Sequence, residues 1–279
     1  MSESVGVLLS PRQTLVTSEI SGQAFDKIEG HIASIRQKSS MEISELVDPI
    51  LTWEGLYEQK VSPQEFAALQ ILSSVLETIK YVSAHHERTP YAALEQAVET
   101  EHDVLQTVFQ NLKKDGRPNA SIVRSFGIVT NVFKDFLNLD TMKVKDSVYD
   151  QMYYWQGLMG TATAAFMFKE LGWEIRLPPA RADIENEVDL IVKNAKGDIY
   201  TVDITSKVNM NDGLSGCFRA SVRESNPAAK KLINGLSGTI RINVPPVRTQ
   251  EADDFYENKI TGYPGEKGLT ALKNILIYA

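Results

Sequence analysis

The stretch Glu187–Lys207, EVDLIVKNAKGDIYTVDITSK, decides the fold of this chain. Two apolar segments are joined by a polar turn around Gly197, a pattern that predicts two neighbouring β-strands. Asp189 interrupts the first segment and Asp203 the second. A buried carboxylate is costly unless it is paired or binds a cation. We therefore expect the two acids to lie at matching depth in adjacent strands and to share a cation.

Helical signals fill the chain before this region. Ser62, Pro63 and Glu65 predict a capped helix start, because serine caps, proline suits the first helical position and glutamate completes a capping box. Apolar residues then recur at helical spacing, and similar segments follow up to about residue 145. Residues 1–145 are therefore predicted to form an all-helical bundle.

The pattern changes at residue 146, where a helix ending at Gly172 begins an alternation of strands and helices. The further elements predicted are strands at 173–177, 188–193 and 199–205, a glycine-containing loop, a helix at 227–234, a strand around 240–244, a short helix near 269 and a last strand at 274–278. This order predicts an α/β (α+β) fold in which residues 146–279 form a second domain with its own sheet.

The amino-acid composition limits the partners and the cellular location that this chain is expected to have. The 279 residues carry 29 Lys and Arg against 36 Asp and Glu, a net charge of −7, which does not favour a protein coated in nucleic acid but allows a local basic groove. Cys217 is the only cysteine, so the chain forms no intramolecular disulfide. No secretory signal or membrane-spanning segment is recognisable, which favours a cytoplasmic location.

Four segments together resemble the PD-(D/E)xK nuclease superfamily, with the restriction-endonuclease-like fold. They are the helix GLMGTATA at 157–164, Leu171-Gly172-Trp173, Glu187-Val188-Asp189 and VDITSK at 202–207. The likeness is closest to archaeal Holliday-junction resolvases and small bacterial relatives, and it covers roughly residues 150–245. It implies a mixed β-sheet core flanked by helices, and cleavage of DNA or RNA, with DNA favoured over RNA, by water activated on Mg²⁺ or Mn²⁺.

The resemblance also implies roles for individual residues. Asp189 and Asp203 match the two motif acids and would bind the metal, and the motif lysine would stabilise developing negative charge. This chain departs from the family pattern at two positions. Thr205 occupies the position of the motif lysine, and Thr161 lies near the position where the family often has a glutamate on the helix. Lys207 shares a strand face with Asp203, one repeat further on, and is a substitute for the lysine.

Either Glu187 or Gln156 is a candidate for the missing helix acid. Basic residues after the motif are candidates for contacts with nucleic-acid phosphates: Lys207, Arg219, Arg223, Lys230 and Lys231. His85, His86, Glu87 and His102 form a weaker metal candidate, and ordinary surface residues are the better interpretation because ligand spacing on one helix is missing.

Three functions stay open at this point. The first is a metal-dependent endonuclease whose helical domain recognises substrate or partner. The second is a catalytically degenerate nuclease fold that binds nucleic acid or protein, because the lysine and helix-acid positions are both altered. The third is a bacterial effector that docks on a host protein through the helical domain. A homodimer is an open alternative, since resolvase-like proteins often act as dimers.

Overall fold

The computed structural model describes eight segments: residues 23–35, 43–57, 61–84, 91–138, 145–205, 218–225, 227–245 and 252–276. Within these segments the chain forms ten helices, a five-stranded sheet and a two-stranded sheet. None of the helices in this part of the chain has the length and apolarity needed to cross a membrane.

The helices before the sheet are α1 (Gln23–Ile35), α2 (Ile43–Tyr57), α3 (Pro63–Ala84), α4 (Tyr91–Gln110), α5 (Ala120–Asn138) and α6 (Lys145–Glu170). The remaining elements are β1 (Glu174–Arg176), α7 (Ala180–Asn186), β2 (Leu190–Lys193), β3 (Ile199–Thr205), β4 (Arg219–Arg223), α8 (Pro227–Leu232), β5 (Leu236–Asn243), α9 (Ala252–Phe255), β6 (Tyr256–Asn258), β7 (Tyr263–Pro264) and α10 (Glu266–Leu276).

Helix α3 begins where the sequence predicts. The Ser62 hydroxyl oxygen accepts a hydrogen bond from the Glu65 backbone N–H at 3.2 Å, so serine satisfies one of the N–H groups left unpaired at a helix start. Asn119 caps α5 in the same way, with Oδ1 accepting the Ile122 N–H at 3.0 Å. Helix α3 packs against α2, α4 and α5 and lies at the centre of the helical part.

Helix α6 belongs to two hydrophobic cores. Leu158 and Phe166 are buried in the core of the helical part, whereas Ala165 and Phe168 are buried against the sheet. Gly172 stops the helix in the left-handed conformation, with a φ of +75°, and the Trp173 N–H bonds back to the Phe168 carbonyl at 3.0 Å. The ending predicted at glycine is confirmed.

The five-stranded sheet is mixed, with the strand order β1-β2-β3-β5-β4. Strands β1, β2 and β3 pair antiparallel, β3 pairs with β5 in parallel, and β4 pairs with β5 antiparallel. One face of the sheet carries buried apolar side chains, including Val202 and Ile240, and packs on α6. Polar and charged residues alternate with them on the other face.

Two sequence predictions need correction, and one element was not predicted. Residues 219–223 form strand β4 inside a region predicted as a glycine-containing loop. Residues 180–186, for which no element was predicted, form helix α7. The predicted last strand at 274–278 is wrong for residues 274–276, which continue α10, and the residues after 276 lie outside the described segments. Leu269, Leu272 and Leu276 recur at helical spacing and pack on the sheet core.

Candidate active site

The two acids of the opening stretch lie side by side on adjacent strands. The pairing of Leu190 with Val202 places Asp189 next to Asp203 at the end of β2, and the Asp189 N–H donates to the Val202 carbonyl at 2.9 Å. Asp189 also accepts the Ile204 N–H on Oδ2 at 2.5 Å. The expected placement of two acids at matching depth in neighbouring strands is confirmed.

Asp189 sits in an environment that resists its ionisation. Burial, the largest cause, and the nearby carboxylates of Asp183, Asp203 and Glu187 together raise the pKa of Asp189 to about 7, while the Ile204 N–H opposes them. Negative charge is therefore concentrated around this carboxyl.

Helix α4 of the helical part contributes a further carboxyl group to this cluster. Glu101 lies in hydrogen-bonding contact with the Thr161 hydroxyl, at the position where the resemblance would place a helix acid. Burial, the largest cause, and the carboxylates of Asp183 and Asp189 together raise the pKa of Glu101 to about 8, and the Thr161 hydroxyl opposes them. Part of the residue keeps contact with solvent, but its carboxyl group is desolvated.

Helix α7 packs against α4 beside this cluster of carboxyl groups. The two helices pack together, and His102 of α4 places Nε2 3.4 Å from Oδ2 of Asp183 in the first turn of α7. His102 is thus a neighbour of the carboxyl cluster, reached through Asp183. The other members of the histidine candidate, His85, His86 and Glu87, lie outside the described residues.

A cation on the neighbouring strand faces Asp203. Arg241 lies opposite Asp203 in the parallel register of β3 and β5, and its Nε donates a charged hydrogen bond to Oδ2 of Asp203. Its Nη2 lies 3.6 Å from a carboxylate oxygen of Glu187. Asp203 keeps 14% of its side-chain surface exposed and Arg241 keeps 47%, so this pair is open to solvent on the arginine side.

Glu187 reaches the site by a route that differs from the prediction. It is the left-handed residue that ends α7, with a φ of +53°, so strand alternation does not set its direction. Gln156 lies half-buried on α6, five residues before Thr161 and so about 140° away around the helix. Glu101, and not Gln156, therefore faces Thr161.

The cation expected from the motif is not on the described part of β3. Thr205 is the exposed last residue of that strand, and Lys207 lies outside the described residues, as does Cys217. The interpretation of Lys207 as the replacement lysine stays a prediction. Arg241 is the described cation that contacts a motif acid.

The other predicted basic residues lie near the open edge of the sheet. Arg219 and Arg223 are exposed on the edge strand β4, two positions before and after Ser221, which pairs with Arg241. Because side chains alternate along a strand, both arginines leave the sheet on the face of Arg241. Lys230 and Lys231 are exposed on α8, and Lys230 pairs with Glu224 at 2.7 Å.

The chemistry of these donors fits a hard divalent cation. Carboxylate oxygens are the ligands that Mg²⁺ and Mn²⁺ prefer, and the pKa values of Asp189 and Glu101 are raised first by burial and then by neighbouring carboxylates, whose repulsion a cation would relieve. Among the described residues, however, no three His, Cys, Asp or Glu side chains converge closely enough to form a ready-made metal group. A bound cation would therefore take few protein ligands and keep waters, as Mg²⁺ commonly does.

Sequence reasoning missed Glu101, Asp183 and Arg241. A signal for Glu101 was present, because it falls in the apolar stripe of α4, four residues after the buried Ala97 and three before the buried Val104. Arg241 could not be found in that way. Its contact with Asp203 depends on the parallel pairing of strands 38 residues apart.

No protein-family model, curated protein or solved structure matches this chain.

Proposed function

We propose that this protein is a divalent-cation-dependent phosphodiesterase, an endonuclease that cleaves nucleic acid, with DNA preferred. The observation that carries the proposal is the placement of Asp189 opposite Asp203 on adjacent strands, with Arg241 on the next strand. Two acids and a cation in a row across three strands match the demands of phosphodiester hydrolysis: oxygen ligands for a metal and a positive group for the phosphate.

The residues take distinct roles in this proposal. Asp189 and Asp203 would hold Mg²⁺ or Mn²⁺, and Glu101 would lie beside this pair as a further acidic group from the helical part. Bound Mg²⁺ would supply Lewis acidity that polarises the phosphodiester and lowers the pKa of a water molecule. Arg219 and Arg223 would contact backbone phosphates on the flank of the site, which fixes the strand without reading its sequence.

Cleavage assays test this function directly. Duplex, single-stranded and four-way-junction DNA and a structured RNA are incubated with the protein in Mg²⁺, in Mn²⁺ and in EDTA. Cleavage that needs the metal is expected, and Asp189→Asn and Asp203→Asn should each lower it by about a hundredfold or more while circular dichroism shows that both variants stay folded. Asp103→Asn, an exposed change on α4, is the matched control. Equal cleavage by all three variants, or cleavage in EDTA, refutes the proposal.

A non-catalytic binding module is the second candidate. Arg241 already neutralises Asp203 without a metal, and Thr205 fills the lysine position. In that case nucleic acid or a protein partner binds without any cleavage, and neither metal changes the thermal midpoint. The same assays separate the two candidates.

A further inference from the structure

Strand β5 supplies the positive charge that β3 lacks. The acids and Arg241 form one row across the sheet, because Asp189 lies beside Asp203, Asp203 opposite Arg241, and Arg241 opposite Ser221. Neighbouring strands are about 4.8 Å apart, so the guanidinium stem starts one strand away from the acid that it contacts. This cross-strand position differs from a lysine two residues after the acid on the same strand.

The contacts of Arg241 with Asp203 and Glu187 leave some of its N–H donors able to bind a further partner. Nε faces Asp203 and Nη2 faces Glu187, whereas the guanidinium group carries five N–H donors in a planar fork. Nearly half of the side-chain surface is open, and Arg219 and Arg223 extend the positive face along the edge strand. A phosphate group lying between the acid pair and this edge would meet the fork of Arg241 first.

Arg241 also competes for the acid that a metal would use. The Asp203 oxygen that accepts the Nε–H bond is one of the two oxygens available for coordination. A guanidinium group held against Asp203 repels an arriving divalent cation, and its departure toward a phosphate removes that repulsion. Binding of the metal and binding of the phosphate are therefore coupled through one side chain.

We propose that Arg241 replaces the motif lysine: it pairs with Asp203 in the metal-free protein and turns to the substrate phosphodiester when a divalent cation binds. The inference rests on the proposed function, since it assigns the cationic group of that same site. It predicts opposite effects of one substitution on metal affinity and on cleavage. A residue that only supported the fold would lower both.

The test compares the intact protein with Arg241→Gln and Arg241→Lys. Affinity for Mn²⁺ is measured by titration calorimetry without nucleic acid, and cleavage of the best DNA substrate is measured separately. Arg241→Gln should bind Mn²⁺ about threefold to tenfold more tightly and cleave about a hundredfold more slowly. Arg241→Lys keeps the charge without the fork, so its Mn²⁺ affinity should stay near that of the unchanged protein and its cleavage should fall between the two.

Matched controls guard against a general effect on charge or folding. Arg176→Gln removes an exposed, ion-paired arginine from β1, at the opposite edge of the sheet, and should change neither reading. If Arg241→Gln does not fold, the double variant Asp203→Asn with Arg241→Gln removes both charges of the pair. Arg241→Lys then still tests the role of the planar guanidinium group, because it should lose cleavage while it keeps full Mn²⁺ affinity.

The outcomes separate this inference from the proposed function. Unchanged Mn²⁺ affinity and cleavage in Arg241→Gln, together with loss of cleavage in Asp203→Asn, overturn the role of Arg241 and leave the nuclease proposal standing. Weaker Mn²⁺ binding in Arg241→Gln also overturns it. Absence of both Mn²⁺ binding and cleavage in the unchanged protein overturns the inference and the proposed function together.

Discussion

Replacing Glu101 with glutamine is expected to stabilise the metal-free protein at high pH and to change little near pH 5. The pKa of this carboxyl is raised from its usual 4.5 to about 8 by burial and by the nearby acids. The folded protein therefore keeps a proton that the unfolded chain releases between these two values. The linkage relation then makes folding stability fall as the pH rises from about 4.5 to 8. Glutamine does not titrate, and it retains the size of glutamate and an oxygen and an amide group for the Thr161 hydroxyl.

The size of the effect follows from the same pKa values. A displacement from 4.5 to about 8 corresponds to on the order of 5 kcal/mol of lost stability once the group is ionised. Glu101 keeps partial contact with solvent, and screening reduces this to about 2–3 kcal/mol. For a chain of this size we expect the thermal midpoint at pH 9 to rise by about 3–5 °C in Glu101→Gln.

The assay is thermal unfolding followed by circular dichroism from pH 5 to pH 9 in EDTA. Glu99→Gln is the control, because it removes an exposed carboxyl group from the same helix. The difference between Glu101→Gln and the unchanged protein should grow steadily with pH, whereas Glu99→Gln should show no such trend. A difference that is constant across this range, or a loss of stability at pH 9, would refute the placement of Glu101 in the carboxyl cluster.

Two further substitutions test the packing around α6 and within the helical part. Gly262→Ala should destabilise the protein by about 2 kcal/mol or more in urea unfolding, because Gly262 has a φ of +69° and an added Cβ would lie 2.5 Å from Oγ1 of Thr163. Its control, Gly30→Ala, places a Cβ in open space on α1 and should be neutral or stabilising by up to about 1 kcal/mol. Equal effects of the two substitutions would contradict the prediction. Ser125→Ala should cost about 1 kcal/mol at an unchanged denaturant slope, since the buried Ser125 hydroxyl donates to the Ala68 carbonyl at 2.5 Å and joins α5 to α3; an unaltered urea midpoint would count against that bond.

Local chemistry explains which parts of the fold could be predicted from sequence. Strand β3 was predicted over its full range, because an apolar run with β-branched residues between turn signals has few other interpretations. The start of α3 at Pro63 and the glycine that ends α6 depend on neighbouring residues in the chain, so they too were readable. Strand β4 was missed since arginines occupy both of its ends and its pairing with β5 is set by tertiary contacts.

The candidate site likewise contains residues that the sequence could predict and residues that it could not. Asp189 and Asp203 lie close in the sequence and are joined by a short hairpin, so their pairing followed from strand period and turn length. Glu101 lies on a helix well before the opening stretch, and Arg241 lies on a strand after it. Sequence spacing does not indicate that either residue lies close to the two acids. The opening stretch therefore provides the acids of the site, while α4 and β5 provide a third carboxylate and a cation.

Helix α6 has a consequence for how this protein comes apart. Its side chains are part of both hydrophobic cores, with Trp155 and Met159 buried in one and Ala164 and Met167 in the other. Unfolding of either core on heating would expose the α6 side chains that pack in the other core, so we expect one cooperative calorimetric transition in place of two. Excision of residues 146–279 would leave Trp155 and Met159 uncovered on a fragment prone to self-association. Expression of the sheet half alone is accordingly a poor route to a well-folded fragment.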